Sequence, residues 1–395
     1  MTAMFVSPAE LQPTRLSQAM TSFAQARNGA AAAKPYSAES WRNLAFTAKP
    51  DLRTDLHAYP GSGRRIALLC SSGTTAEPVF SPWSDVDQQI ADHTARQIHS
   101  KCPSIEGARC AVIAPDGPMA VVHFMRREIE VCGGIPCLIK PDEPEAMWRR
   151  LIDEGVDVAF TLPLLASRLG EYFRATRGQA PEGINLLFCA GDLLSSARQS
   201  MLAAMWDAQV FNMFGCSELF GPVAGPAEAG FPLVWQCEPV AVEVIDPATL
   251  SPCAPRQRGV LVLTTLWPKA SPLLRYWTDD VVEVVTAAGV VDQEFRFNYI
   301  GRPPSMLWAA GRQVALLDID TAMLGSGWCG SEWSITQTPH GICVEAEMRT
   351  RGSGKVRALA DTLAEIIGAP VELVPREPYS LPRVAPKFTV TQATR

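Results

Sequence analysis

Five short segments carry side chains suited to a phosphate-bearing ligand and the cation that accompanies one. In Ser71-Ser-Gly-Thr-Thr-Ala-Glu-Pro78, small residues expose backbone N–H groups and hydroxyls that can wrap an anion. The G-x-x-x-x-G-K-[ST] spacing of a P-loop is absent, and an ordinary Ser/Thr-rich turn is the plain alternative. Asn212-Met-Phe-Gly-Cys-Ser-Glu218 ends an apolar run with a hydroxyl and a carboxylate. The C-terminal edge of a strand is where open α/β sheets bind ligands, and a carboxylate there can hold Mg²⁺ between phosphate oxygens. A helix N-cap by Ser217 competes with that reading. Leu274-Arg-Tyr-Trp-Thr-Asp-Asp280 places an aspartate at a turn, able to accept both hydroxyls of a ribose; otherwise it is a turn before a strand at Val281. Ile300-Gly-Arg-Pro-Pro-Ser-Met-Leu307 otherwise reads as a linker stiffened by prolines. Leu381-Pro-Arg-Val-Ala-Pro-Lys387 sets a lysine on a proline-bounded loop, most simply a solvated surface residue.

These segments need a scaffold, and the pattern around them supplies one. Ile66–Cys70 is an apolar run that stops at the Ser/Gly/Thr loop, and Ser84 caps a helix reaching Ser100, with Asp85 and Asp87 in its first turn. Apolar runs at 110–114, 135–139, 156–160, 186–189 and 210–214 alternate with helical patterns at 119–132, 144–154 and 195–207. Repeated strand–helix–strand units with buried strands predict an α/β domain with a largely parallel sheet. Beyond about Leu233 the texture turns antiparallel and barrel-like, with strands at 240–246, 259–265 and 281–285. From about Gly301 it reads as a small α+β domain, with strands near 333–336, 342–348 and 371–374 and a helix at 354–367.

Composition narrows the classes. The chain has 395 residues, 47% hydrophobic and 19% charged, which suits a folded protein of two or three domains. A net charge of -6 argues against a sequence-blind nucleic-acid binder. No apolar run is long enough to cross a membrane, and 1–33 lacks the pattern of a secretory signal. The 11 cysteines contain no C-x-x-C pair, which fits reduced thiols without a zinc ribbon, so a cytoplasmic location is expected.

Taken in order, the five segments resemble the motifs of the adenylate-forming superfamily of acyl-CoA synthetases and ligases, closest to its phenylacetate–CoA ligase-like branch in a shortened form. Ser71–Pro78 resembles the phosphate loop S-S-G-T-T-G-K-P, and Phe214–Glu218 the magnesium motif Y-G-x-[ST]-E. Arg275–Asp280 resembles the ribose motif R-Y-R-T-G-D. Ile300–Leu307, with Gly311 and Val314 beyond it, resembles the hinge segment I-G-R-x-D-D-M-[IL], and Lys387 follows L-P-R as the family's essential lysine does. The stretch 117–139, with His123 and Gly133-Gly134, also looks like that branch, so the resemblance covers about residues 65–390.

The resemblance implies a fold and a chemistry. The fold is α/β: an N-terminal extension (1–63), a large domain (64–302) of α/β subdomains plus a β-barrel-like part, and a small mobile α+β C-terminal lid (303–395). The chemistry is ATP- and Mg²⁺-dependent activation of a carboxylic acid, aromatic by expectation, to an acyl-adenylate. Transfer to CoA or a phosphopantetheinyl carrier-protein thiol would follow, in secondary metabolism of the antibiotic kind. Ser71, Ser72, Gly73, Thr74 and Thr75 would hold the β- and γ-phosphates. Ala190, Gly191, Phe214 and Gly215 would lie against adenine, with Ser217 beside them and Glu218 on the metal. Asp280 would hold the ribose with Arg302 nearby, Ser305 would mark the hinge, and Lys387 would reach the α-phosphate. His123, Phe220 and Trp235 are candidates for the acid pocket, with a satisfied core histidine the alternative for His123.

Three departures bear on that picture. Ala76-Glu77 stands for Gly-Lys, Asp279 for the Gly before the ribose aspartate, and Ser305 for the hinge aspartate. Like charges about 4 Å apart repel by roughly 1 kcal/mol in water and about 4 at an effective dielectric near 20, so Glu77 opposes phosphate binding. Two further readings stay open: an adenylating subunit that passes its acyl group to a partner such as a reductase, and a degenerate ligase fold that only binds. A homodimer is left open as well. Gly352-Ser-Gly-Lys355 imitates the end of a P-loop but is read as a turn before a helix, and Cys216 as a small buried thiol rather than a nucleophile.

Overall fold

The computed structural model describes residues 44–53, 65–70, 80–114, 120–140, 143–227, 230–267, 271–286, 294–338, 341–350, 352–383 and 390–392. β1 (Arg65–Cys70) pairs antiparallel with β2 (Phe80–Ser84). Ser84 then caps α1 (Asp85–His99) reciprocally: its hydroxyl accepts from Asp87 N, while the Asp87 carboxylate accepts from Ser84 N. Strands and helices alternate from there: β3 (Arg109–Ile113), α2 (Ala120–Val131), β4 (Ile135–Ile139), α3 (Pro144–Asp153), β5 (Val158–Thr161), α4 (Pro163–Arg177), β6 (Leu186–Ala190), α5 (Ser196–Trp206) and β7 (Gln209–Cys216). Next come β8 (Gly221–Pro226), β9 (Leu233–Trp235), β10 (Val240–Ile245), β11 (Arg258–Thr265), β12 (Tyr276–Val284) and β13 (Arg296–Gly301). The remainder holds β14 (Met306–Ala309), β15 (Arg312–Ala315), α6 (Leu316–Gly325), β16 (Cys329–Thr338), β17 (Gly341–Met348), α7 (Ser353–Ile367), β18 (Val371–Arg376) and β19 (Val390–Gln392).

Contacts divide the chain into two units, each assembled from separate stretches. The first takes Met1–Gly107, Asp116–Gly134 and Met213–Tyr299. Its strands follow the order β10-β11-β12-β13-β9-β8-β7, with antiparallel pairing wherever the register is defined. Phe214, Trp235, Leu261, Tyr276, Phe295 and Phe297 fill its core, where apolar burial is the main stabilising contribution.

The second unit takes Ala108–Pro115, Ile135–Asn212 and Ile300–Arg395. β6, β5, β3 and β4 lie parallel in that order, and β5 is buried along its whole length, as a strand covered on both faces must be. A second sheet, β18-β17-β16-β19, is mixed. α4 is a helix the sequence pattern did not predict. Its interior glycine, Gly170, packs so close to α5 that a Cβ would lie 2.9 Å from Trp206 Nε1. The fully buried Arg198 of α5 donates to Asp320 of α6 at 2.6 and 3.1 Å, to Ser167 Oγ at 2.8 Å and to Ser331 O at 3.1 Å. Asp320 also accepts from Ser195 Oγ at 2.7 Å and Trp333 Nε1 at 3.0 Å. A buried charge pair is tolerable only when satisfied in this way.

No helix among the described residues is long and apolar enough to cross a membrane. The cysteines whose side chains are described are all free, and burial pushes Cys189 and Cys237 up to about 12, which leaves their thiols unreactive.

Candidate active site

In the first unit, β7 delivers Phe214 and Gly215 to a tight turn. Phe214 packs edge-on against Phe297, with ring centres 5.6 Å apart, and lies 5.2 Å from Tyr299. A Cβ on Gly215 would sit 2.9 Å from Gly221 O, so only glycine lets β7 and β8 approach here. The turn continues as a 3₁₀ segment, Ser217–Leu219, that carries Glu218. Ser217 is not a helix cap: its hydroxyl donates to Glu218 Oε2 at 3.2 Å. Cys216 Sγ lies 3.1 Å from the same oxygen, and Tyr276 OH donates to Oε1 at 2.9 Å. The carboxylate is thus buried, 4% exposed, and held by hydroxyls and a thiol.

Asp280 does not follow a turn; it lies inside β12 and is 1% exposed. The register shifts between the Val260–Val281 and Val262–Trp277 pairs, leaving a bulge. Asp279 occupies it with φ +65°, the left-handed region, which explains a glycine in the motif it resembles; aspartate tolerates that region better than most residues. Thr278 stitches the bulge, donating to Leu261 O at 2.8 Å and accepting from Asp280 N at 3.0 Å. Arg275 enters the strand from a two-point contact with buried Glu243, at 3.2 and 3.1 Å, under the ring of Phe46.

The pocket candidates separate. His123 is exposed on α2 and meets Trp83 edge-on at 5.1 Å, so it is not a core histidine. Burial against its neighbours, and then Arg126, hold its pKa below the usual histidine value. Phe220, buried with φ +66°, stacks on the same Trp83 at 5.2 Å. Trp235 is elsewhere: it sits in the first unit's core and donates Nε1 to Cys237 O at 2.9 Å.

In the second unit, Ala190 ends β6, and Gly191 follows it, exposed with φ +82°, at the C-terminal edge of the parallel strands. Arg302 is half-buried, and its carbonyl accepts from Ser305 N at 2.7 Å, closing the turn Pro303–Ser305. A cleft of about 860 Å³, lined by Glu171, Arg174, Met201, Cys329, Arg349 and Tyr379 among others, contains none of the motif residues.

Ser71, Ser72, Gly73, Thr74, Thr75, Glu77 and Lys387 lie outside the described residues. Among the described residues no cluster of three or more His, Cys, Asp or Glu could hold a metal. One carboxylate beside a hydroxyl still suits Mg²⁺, which is commonly held by one or two carboxylates together with substrate phosphates. Sequence reasoning missed Trp83 and did not single out Tyr276. Tyr276 belongs to a quoted motif, whereas nothing local to Trp83 signals its role.

No protein-family model matches the chain. A phenylacetate–coenzyme A ligase from Thermus thermophilus is 26% identical over 332 residues, spanning 80% of this chain and 73% of the relative. The structure of a 2-hydroxyisobutyryl-CoA ligase in the postadenylation state, in complex with R3-HIB-AMP, matches with a TM-score of 0.81 at 16% identity, covering 96% of this chain and 88% of that one. ATP-bound MatB from Rhodopseudomonas palustris matches at 0.61 and 14% identity, covering 83% and 67%. The fold is therefore that of the adenylate-forming ligases, mixed α/β. The chain belongs to the adenylate-forming acyl-CoA ligase superfamily, and its relative in sequence is a phenylacetate–CoA ligase.

Proposed function

We propose that the chain is an acid–CoA ligase that uses ATP to activate a carboxylic acid as its acyl-adenylate, then transfers the acyl group to CoA. The observation that carries this is the 2.9 Å hydrogen bond from Tyr276 to Glu218. It joins two motifs 58 residues apart, one expected to hold the metal and one the ribose, in a single buried group. The ligase named in sequence and those named in structure support the class of reaction.

In this reading Glu218, with Ser217, holds Mg²⁺, which when bound neutralises phosphate charge. Asp280 accepts the ribose hydroxyls with Arg302 nearby. Phe214, Gly215, Ala190 and Gly191 border adenine, and Ser71, Ser72, Gly73, Thr74 and Thr75 take the phosphates. Lys387 offsets the charge that builds as the acid's carboxylate attacks the α-phosphate. The acid pocket is drawn around Trp83, where His123 and Phe220 converge, which favours an aromatic acid. Trp235 is left out of it. The division into extension, large domain with a barrel-like part and mobile lid, hinged at Ser305, belongs to the same proposal, as does a role in secondary metabolism.

ATP–pyrophosphate exchange with Mg²⁺ across aryl, heteroaryl and short aliphatic acids is the test. Acid-dependent exchange, followed by thioester formation on adding CoA, is the expected result. A folded protein that exchanges with no acid would instead be a binding subunit.

A further inference from the structure

We propose that Glu347 and Arg168 are positioning residues for the terminal lysine, acting through Arg383. This rests on the role given to Lys387 above and adds what fastens its segment. Arg383 lies four residues before Lys387. Its guanidinium straddles the Glu347 carboxylate, Nη1 to Oε1 at 3.1 Å and Nη2 to Oε2 at 2.8 Å. The same Oε1 accepts from Leu381 N at 2.9 Å. One carboxylate therefore fixes both a side chain and the backbone two residues before it. A planar two-point contact sets direction as well as distance.

A second contact pair ties this point to α4. Arg168 holds Glu332 of β16 through two contacts, at 2.9 and 2.7 Å, and reaches Arg383 O with a longer contact at 3.4 Å. The ring of Tyr379 lies 5.1 Å from the Arg383 guanidinium, and its hydroxyl donates to Glu171 O, again on α4, at 2.8 Å. Beyond residues 384–389, β19 returns to the same sheet, pairing parallel with β16 from Ile335–Val390 to Gln337–Gln392. The chain is thus fastened immediately before and immediately after the lysine segment.

The burial of this clamp separates it from ordinary surface pairing. The Glu347 and Glu332 side chains are 3% and 6% exposed. An exposed ion pair would constrain little, whereas a carboxylate taken out of water holds its arginine firmly. A lysine that must meet a developing charge depends on such placement, because a misplacement of about 1 Å can cost on the order of 10²-fold in rate.

The test is exchange on the full chain with Arg383→Met, Arg383→Lys, Glu347→Gln and Arg168→Met, each alone and combined with Lys387→Ala. Each single substitution is expected to lower kcat by about 10- to 100-fold. The KM for ATP should stay within about threefold, and Arg383→Lys should retain more activity than Arg383→Met. With Lys387 already replaced, the same changes should alter the residual rate by less than about twofold, because both act through one group. Equal losses in both backgrounds, or a KM that rises in step, would reduce the clamp to a structural role and overturn the proposal. If Lys387→Ala abolishes exchange while the clamp variants keep full rate, the clamp is wrong and the proposed function stands. If Lys387→Ala keeps full exchange, the lysine's role and the clamp fall together. Should Glu347→Gln fail to fold, Arg383→Lys and Arg168→Met carry the comparison.

Discussion

Glu218 in the first unit and Asp320 in the second are both buried carboxylates, and they are held by different means. Arg198 brings Asp320 a full charge through two contacts, with a serine and a tryptophan completing its shell. Tyr276, Ser217 and Cys216 bring Glu218 dipoles. A carboxylate matched charge for charge is finished and serves to join helices. One held by dipoles keeps its negative charge available, so a cation bound beside it gains more. Burial alone does not mark a functional group; the kind of partner does.

Breaking the charged pair should have the largest effect. Arg198→Met leaves Asp320 buried against an apolar neighbour and should cost about 3–5 kcal/mol in urea unfolding, while adding Asp320→Leu should recover most of it. A loss below about 1 kcal/mol would place this pair with ordinary surface bridges. Glu218→Gln should do the opposite, lowering exchange by about 10²-fold or more while the unfolding midpoint hardly moves. If its stability fell as far as that of Arg198→Met and exchange survived, the contrast would be lost. Tyr276→Phe removes one donor from a buried carboxylate and should cost about 1–3 kcal/mol of stability. It should also weaken Mn²⁺ binding, followed by its electron-spin signal.

His123 gives a smaller effect, read in pH. Its folded pKa lies below the ordinary value of 6.5, so the stability it contributes is fully present above 6.5 and is lost as pH falls through the folded value. His123→Gln should flatten that part of the stability–pH curve, and an unchanged slope would remove His123 as its source. Asp279→Gly should change stability by no more than about 1 kcal/mol, since relief of the left-handed strain is offset by the greater freedom of an unfolded glycine.

The parallel α/β part was legible because apolar runs and caps are local: Ser84 caps α1 as its spacing indicated. α4 was not, since Pro163 and Gly170 interrupt the pattern and a helix partner, Trp206, explains the glycine. The start of β12 was hidden because Arg275 and Asp279 both take positive φ inside or beside a strand. At the candidate site, motif order announced Glu218 and Asp280, yet no local pattern told which side of β9 would bury Trp235. Trp83 stayed hidden for the same reason. Its partners His123 and Phe220 lie far along the chain, and distance in sequence conceals what stacking reveals.

The pair between Arg198 and Asp320 spans Ser305: Arg198 and Ser195 precede it, while Asp320 and Trp333 follow. Any rotation about Ser305 that carries α6 away from α5 must first pull this pair apart. Each 1.4 kcal/mol of such resistance slows the motion about tenfold. The pair is therefore a timer. Pyrophosphate release would run as a fast burst, and a water-sensitive mixed anhydride would then wait in a closed site until the helices let go.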